Sequence, residues 1–186
     1  MALLTLEDAK AQLDIETDTD DTELQVYVDA VTAVIERHVG PVINRDVSEV
    51  VHGRGTALAL TQAPVASVTS LTPLLPGGTA VAADEVYVDN DAGTIHRLDG
   101  GGFAGGPWRV KYVAGRGTEV PPTINLAARI LVQHLWRTQY GASRGLGSIG
   151  GGDDYAVTEP VPGWGYAVPN RVLQLLEAYK APPGVA

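Results

Sequence analysis

Cysteine is absent from the 186 residues, which removes disulfides, thiolate nucleophiles and Cys-ligated zinc and fits synthesis in a reducing cytoplasm. Long apolar runs are missing as well. No stretch reaches the ~18 residues that a spanning helix needs, and the opening MALLTLEDAK has no basic region ahead of an apolar one. The chain is therefore expected to be soluble, with no membrane partner. Nor is there a basic stripe: the formal charge is -9, and such a protein lacks the phosphate-neutralising footprint of nucleic-acid binders, so sequence-specific nucleic-acid binding is not expected.

The histidines lack metal spacing. His38, His52, His96 and His134 are scattered without HxxxH or HExxH, so no metal site is expected. Gly145, Gly147 and Gly150 spell GxGxxG, but they follow a helical pattern and open an acidic loop, whereas a nucleotide fingerprint follows a strand and opens a helix. Asp14, Glu16, Asp18 and Asp20 alternate as in a calcium loop without its turn glycine or final glutamate. Ser143 and Ser148 have no strand-turn-helix elbow, and no pair of carboxylates is singled out for glycoside chemistry. These absences predict no catalytic residues, no cofactor and no enzymatic activity.

What is present is an ordinary globular composition, 45% apolar and 19% charged, in a chain long enough to bury a core and short enough that one compact domain is the default. The charge is unevenly placed. Residues 1 to 37 hold ten acids against Lys10 and Arg37, a net of -8, which leaves only -1 for everything after them. Between Thr123 and Ser148 stand Arg129, Arg137 and Arg144 with no acid. That basic stretch can attract the acidic start of a neighbouring copy, or both can be merely solvated faces.

Hydrophobic periodicity divides the chain into helices, strands and helices, an α+β class. Thr5 followed by Glu7 and Asp8 is an N-cap signature, and Leu6, Ala9 and Leu13 predict a helix at about 5 to 14. Asp20 with Glu23 reads as a capping box for a second helix, whose stripe of Leu24, Val28, Val31, Val34, Ile35 and Val39 is closed by Gly40 and Pro41. The helical part thus covers residues 1 to 41. From 42 to 114 short β-rich runs follow, VSEVVH, ALAL, PVASVTSL, EVYVD, TIHRL and PWRVKYV, broken by Gly, Pro, Asn and Asp turns. Connections this short predict an antiparallel meander as a central insertion.

Helical spacing returns over 121 to 140, with Ile124, Ala127, Ala128, Leu131, Leu135 and Trp136 on one side after two prolines. His134 sits near its end, where a packed or dipole-favoured histidine is the ordinary reading. Residues 141 to 168 read as a flexible glycine-rich arm, and 169 to 181 as a last helix on Val172, Leu175, Leu176 and Tyr179. Tyr155, Trp164 and Tyr166 on the arm are anchors for burial, either on the parent domain or on a partner. With Arg129, Arg137 and Arg144 they form the set of candidate partner-binding residues.

The strings LTLEDAKAQLDI, DDTELQVYVDAVTAVIERHVG, PVASVTSL, YVDNDAGTIHRL, WRVKYVAGRG and PPTINLAARILVQHLWRTQYG, with the closing VPNRVLQLLEAY, resemble the head-to-tail connector, or adaptor, proteins of long-tailed phages. The resemblance covers most of residues 3 to 141 and implies a virion protein made in the host cytoplasm. It implies a twelvefold ring seated beneath the portal protein in the neck, extending the DNA channel and presenting a surface to the tail or a stopper protein. The chain departs from the mostly helical small connectors in its large β portion. Tail-completion or tail-terminator proteins are therefore rivals, as is a small carbohydrate- or protein-binding module.

Overall fold

A computed structural model describes residues 3–53, 55–103, 106–117, 120–140 and 168–180. The chain divides into two compact units, Met1–Ile35 with Pro121–Ala178, and Glu36–Val120 with Tyr179–Ala186.

The first unit is helical. Helix α1, Leu6–Leu13, starts where the sequence predicts, because Thr5 holds an extended backbone and its Oγ1 accepts from the Asp8 N–H at 3.1 Å. Such a cap contributes about 1 kcal/mol. At its other end Asp14 adopts a left-handed backbone (φ 55°), and the N–H of Ile15 donates to the Lys10 carbonyl at 3.0 Å. Helix α2, Asp21–Val39, has the predicted bounds; Leu24, Val28, Val31 and Ile35 are buried at helical spacing, while Val34 is half-buried. Helix α3, Pro122–Tyr140, buries Ile124, Ala127, Ala128, Leu131 and Val132, and α4, Asn170–Leu176, buries Val172 and Leu176. Small alanines on α3 allow close packing with its neighbours α1 and α4. Tyr27 meets Trp136 edge to face at 5.7 Å, joining α2 to α3 by the geometry aromatic quadrupoles favour.

Among the described residues the second unit holds six strands: β1 Arg45–His52, β2 Ala57–Ala59, β3 Val65–Pro73, β4 Val86–Asp89, β5 Thr94–Arg97 and β6 Pro107–Ala114. Pairing is antiparallel throughout, as expected, but the order is not that of a meander. The strands form two three-stranded sheets, β1-β6-β3 and β2-β5-β4. Among these strands, β4 and β5 are the pair that forms a sequential hairpin. Its turn is the predicted Asp-Asn-Asp-Ala-Gly, in which the Ala92 N–H donates to Asp89 Oδ1 at 3.0 Å and Gly93 takes a positive φ.

Strand β6 is central because it can be buried on one face along its whole length. Trp108, Val110, Tyr112 and Ala114 point inward, while Arg109 and Lys111 point out. The inward row joins Leu58, Leu60, Val65, Leu71, Val81, Val86, Ile95 and Phe103 in one core fed by both sheets. Phe103 meets Trp108 edge to face at 5.4 Å within it.

Candidate partner-binding surfaces

The arginines singled out in the sequence have different environments. Arg129, on α3, is committed within its own chain: its Nη2 lies 2.6 Å from Asp8 Oδ1, and its Nε donates to Asn125 Oδ1 at 2.9 Å. The acid it meets belongs to the acid-rich start, as the charge pattern suggests, but of the same molecule. The Thr5 hydroxyl, which donates to Asp8 Oδ2 at 2.8 Å, and then Arg129 hold the Asp8 carboxyl below its usual value. Arg137, two turns further along α3, is exposed. His134 between them is pushed down by burial, consistent with a packed side chain. Arg144, Tyr155, Trp164 and Tyr166 lie outside the described residues.

A second ion cluster organises the acidic start. Lys10 Nζ bridges Asp18 Oδ1 at 2.6 Å and Asp21 Oδ1 at 2.8 Å, tying α1 to the first turn of α2. Asp18, and then Asp21, raise the lysine above its ordinary value. The alternating acids that resemble a calcium loop are thus partly consumed by a lysine. Among the described residues no group of three or more His, Asp or Glu side chains is placed to hold a metal ion, and no helix is long and apolar enough to cross a membrane.

Three groups that sequence reasoning missed shape the second unit. Arg116 stands between two glycines of positive φ, Gly115 and Gly117. Its Nη2 donates to the carbonyls of Val39 at 2.8 Å and Tyr179 at 2.7 Å, and its guanidinium lies 5.2 Å from the centre of the Tyr179 ring. Burial lowers its pKa. The pair of glycines around an arginine was the available signal. Glu36 accepts from the N–H groups of Val42 (2.8 Å) and Ile43 (3.1 Å) and pairs with Arg45, so the chain leaving α2 is held by a side chain on that helix. Glu49 on β1 gathers the Tyr112 hydroxyl at 2.9 Å, the Thr61 N–H at 2.9 Å and the Thr61 hydroxyl.

Beside Glu36 opens a charged cleft of about 580 Å³, lined by Glu36, Arg37, His38, Arg45, Gln62 and Asp91 among others. A separate surface is the outward face of the β1-β6-β3 sheet. Arg109 stands there between Val50 and Thr72, and Lys111 between Ser48 and Ser70. Both cations are exposed.

Comparison with known proteins places these features in a family. No curated protein matches the chain. Among solved structures, similar chains come from the neck of an empty GTA particle computed with C6 symmetry (TM-score 0.64, 21% identity, 99% of this chain and 92% of that chain) and the neck of a native GTA particle computed with C12 symmetry (TM-score 0.63, 24%, 99% and 92%). Another comes from the virion of a native gene transfer agent particle (TM-score 0.62, 22%, 99% and 92%). These identities establish a shared fold. The family model for head completion proteins matches residues 2–181, and the chain belongs to the head completion protein family.

Proposed function

We propose that this head completion protein is a ring subunit of the particle neck, seated on the portal protein, extending the DNA channel and offering the docking surface for the tail or a stopper protein. The observation that carries the reading is the match to the head completion family over residues 2–181. A fold shared with neck chains of particles computed with C12 and C6 symmetry supports a ring of copies. The family's place on the head side favours a connector over a tail-terminator protein. The physical character agrees: a net charge of -9 gives a channel wall that repels phosphates and lets DNA slide. In this reading the protein works by docking and not by catalysis. Arg144 and the aromatics Tyr155, Trp164 and Tyr166 are then contacts to the portal or to adjacent copies.

The test is the native mass of the chain mixed with the portal of the same particle, each component alone serving as control. A discrete portal complex carrying a ring of copies is expected. A chain that stays monomeric beside an intact portal sinks the proposal and favours a tail-side protein or a binding module.

A further inference from the structure

Lys10, Arg45, Arg97 and Arg129 are each engaged in an ion pair with an acid of their own chain. Arg109 and Lys111 are different. They sit two residues apart on the central strand of a sheet, both exposed, and neither takes part in an ion pair among the described residues. Their cross-strand neighbours are Val50, Thr72, Ser48 and Ser70, an apolar side chain and three hydroxyls in place of the acids that would neutralise them. Val50 is itself 50% exposed. The outward face of the β1-β6-β3 sheet thus carries two adjacent cations with an apolar contact beside them and one exposed acid, Asp46, toward the start of β1, a net positive surface on a molecule that is otherwise strongly acidic.

The complementary charge is on the same chain. The first 37 residues carry a net of -8, and where Arg129 and Lys10 neutralise Asp8, Asp18 and Asp21, the exposed Asp14 and Glu16 of the α1–α2 connection have no ion pair among the described residues. A surface and its complement at two different places on one molecule form a heterologous contact, and repeated rotation through such a contact closes a ring.

We infer that the outward face of the β1-β6-β3 sheet, through Arg109, Lys111 and Val50, receives the acidic α1–α2 connection, through Asp14 and Glu16, of the adjacent copy. This rests on the ring reading above. The contact orients neighbours by charge and suppresses the reversed arrangement, in which cation would face cation.

The test is a charge swap in the full-length chain, read as the number of copies retained on purified heads that lack this protein, at physiological salt. Reversing the face with Arg109→Glu and Lys111→Glu is expected to lower retained copies about tenfold, and more at low salt. Changing the connection with Asp14→Asn and Glu16→Lys does the same; asparagine is used at 14 because it tolerates the left-handed backbone. Combining all four is expected to restore retention, which no loss of folding can mimic. Unchanged retention in the face variant overturns the inference. So does a loss that the combined variant leaves unrestored, and if that loss is accompanied by weaker binding of a short DNA duplex, the face contacts nucleic acid. If the unaltered chain fails to add to heads as a discrete set of copies, the ring reading falls, and this inference with it.

Discussion

The guanidinium of Arg116 donates to the carbonyl oxygen of Tyr179 at 2.7 Å while lying 5.2 Å from the centre of the same residue's ring. One side chain therefore grips Tyr179 twice, at its backbone and at its aromatic face. It also reaches the Val39 carbonyl at the end of α2, so the last turn of a helix and the C-terminal turn share a single cation. Carbonyls at helix ends are short of donors, and a cation there is favoured by the macrodipole as well. Arg116→Ala is expected to lower the unfolding free energy by about 2 kcal/mol, since hydrogen bonds to charged groups contribute ~1.5–3 kcal/mol. Lysine cannot reproduce the planar fork and is expected to recover less than half of the loss. In a double-mutant cycle with Tyr179→Ala, urea titrations should give a coupling of about 0.5–1 kcal/mol. A coupling of zero means that the ring contact is incidental.

The turn that presents Arg116 depends on Gly115. It sits at φ +142°, its N–H donates to the Pro64 carbonyl at 2.9 Å, and a Cβ there would come within 2.4 Å of Asn44 Oδ1 and 2.8 Å of the Asn44 Cα. Asn44 cannot withdraw freely, because its Oδ1 accepts from the Gly117 N–H at 3.1 Å. Gly115→Ala is expected to cost about 3 kcal/mol, combining backbone strain with a clash against main chain. Gly117, at φ +95° with open space where its Cβ would be, carries the strain alone, about 1 kcal/mol. Thermal unfolding of the two variants side by side checks the difference, and equal costs would refute the steric argument.

Tyr112 is buried, and its hydroxyl donates to Glu49 Oε1 while accepting from the Gln62 N–H. Burial first, and the neighbouring Glu49 carboxylate second, push the phenol up to about 12. The folded state thus favours the protonated phenol. Its contribution is complete below the ordinary tyrosine value of ~10 and is lost as pH rises through about 12. Glu49→Gln should move the latest-titrating tyrosine toward the ordinary range while leaving it above, because burial remains. Tyr112→Phe should delete that component altogether. Tyrosinate absorbance against pH reads both, and a late component that survives in Tyr112→Phe would assign it to another residue.

The helices and strands were legible in the sequence because each is signalled locally. The bounds of α2 follow from one apolar stripe and a terminating Gly-Pro, and all six strands lie at the runs predicted from β-rich composition. Strand order was not legible. Pairing of β1 with β6 joins Arg45 to Ala114, and no local pattern distinguishes that from pairing with β2. The same holds for the surface: Arg129 was identified from a run free of acids, but its partner Asp8 is 121 residues away. Arg116 was not singled out, because the glycines on both sides report backbone geometry and say nothing of what the side chain reaches. Arg109 and Lys111 lie within the β-rich run PWRVKYV, and only the register shows that hydroxyls and Val50 stand directly opposite them in place of acids.

Asp8 links the cap of α1 to α3, and acid should expose its role. The Thr5 hydroxyl is the largest cause of its lowered pKa, with Arg129 acting in the same direction and burial opposing both. A carboxylate depressed in the folded state contributes stability that is present above the ordinary value of ~4 and is lost as pH falls through the lower, folded value. Unfolding midpoints followed from about pH 7 down to about pH 3 should therefore fall less steeply in Asp8→Asn than in the unaltered chain. A residual slope remains, because Asp18 beside Lys10 and Asp99 beside Arg97 are lowered too. At neutral pH, Arg129→Ala is expected to cost about 1 kcal/mol, in the range of partly exposed ion pairs, whereas Arg137→Ala should stay within about 0.5 kcal/mol. Arg129→Ala should also flatten part of the acid limb that Asp8→Asn removes, with little further change when both are combined. Fully additive effects across that pH range would show that Asp8 is held by its cap alone and that the 2.6 Å pair contributes nothing.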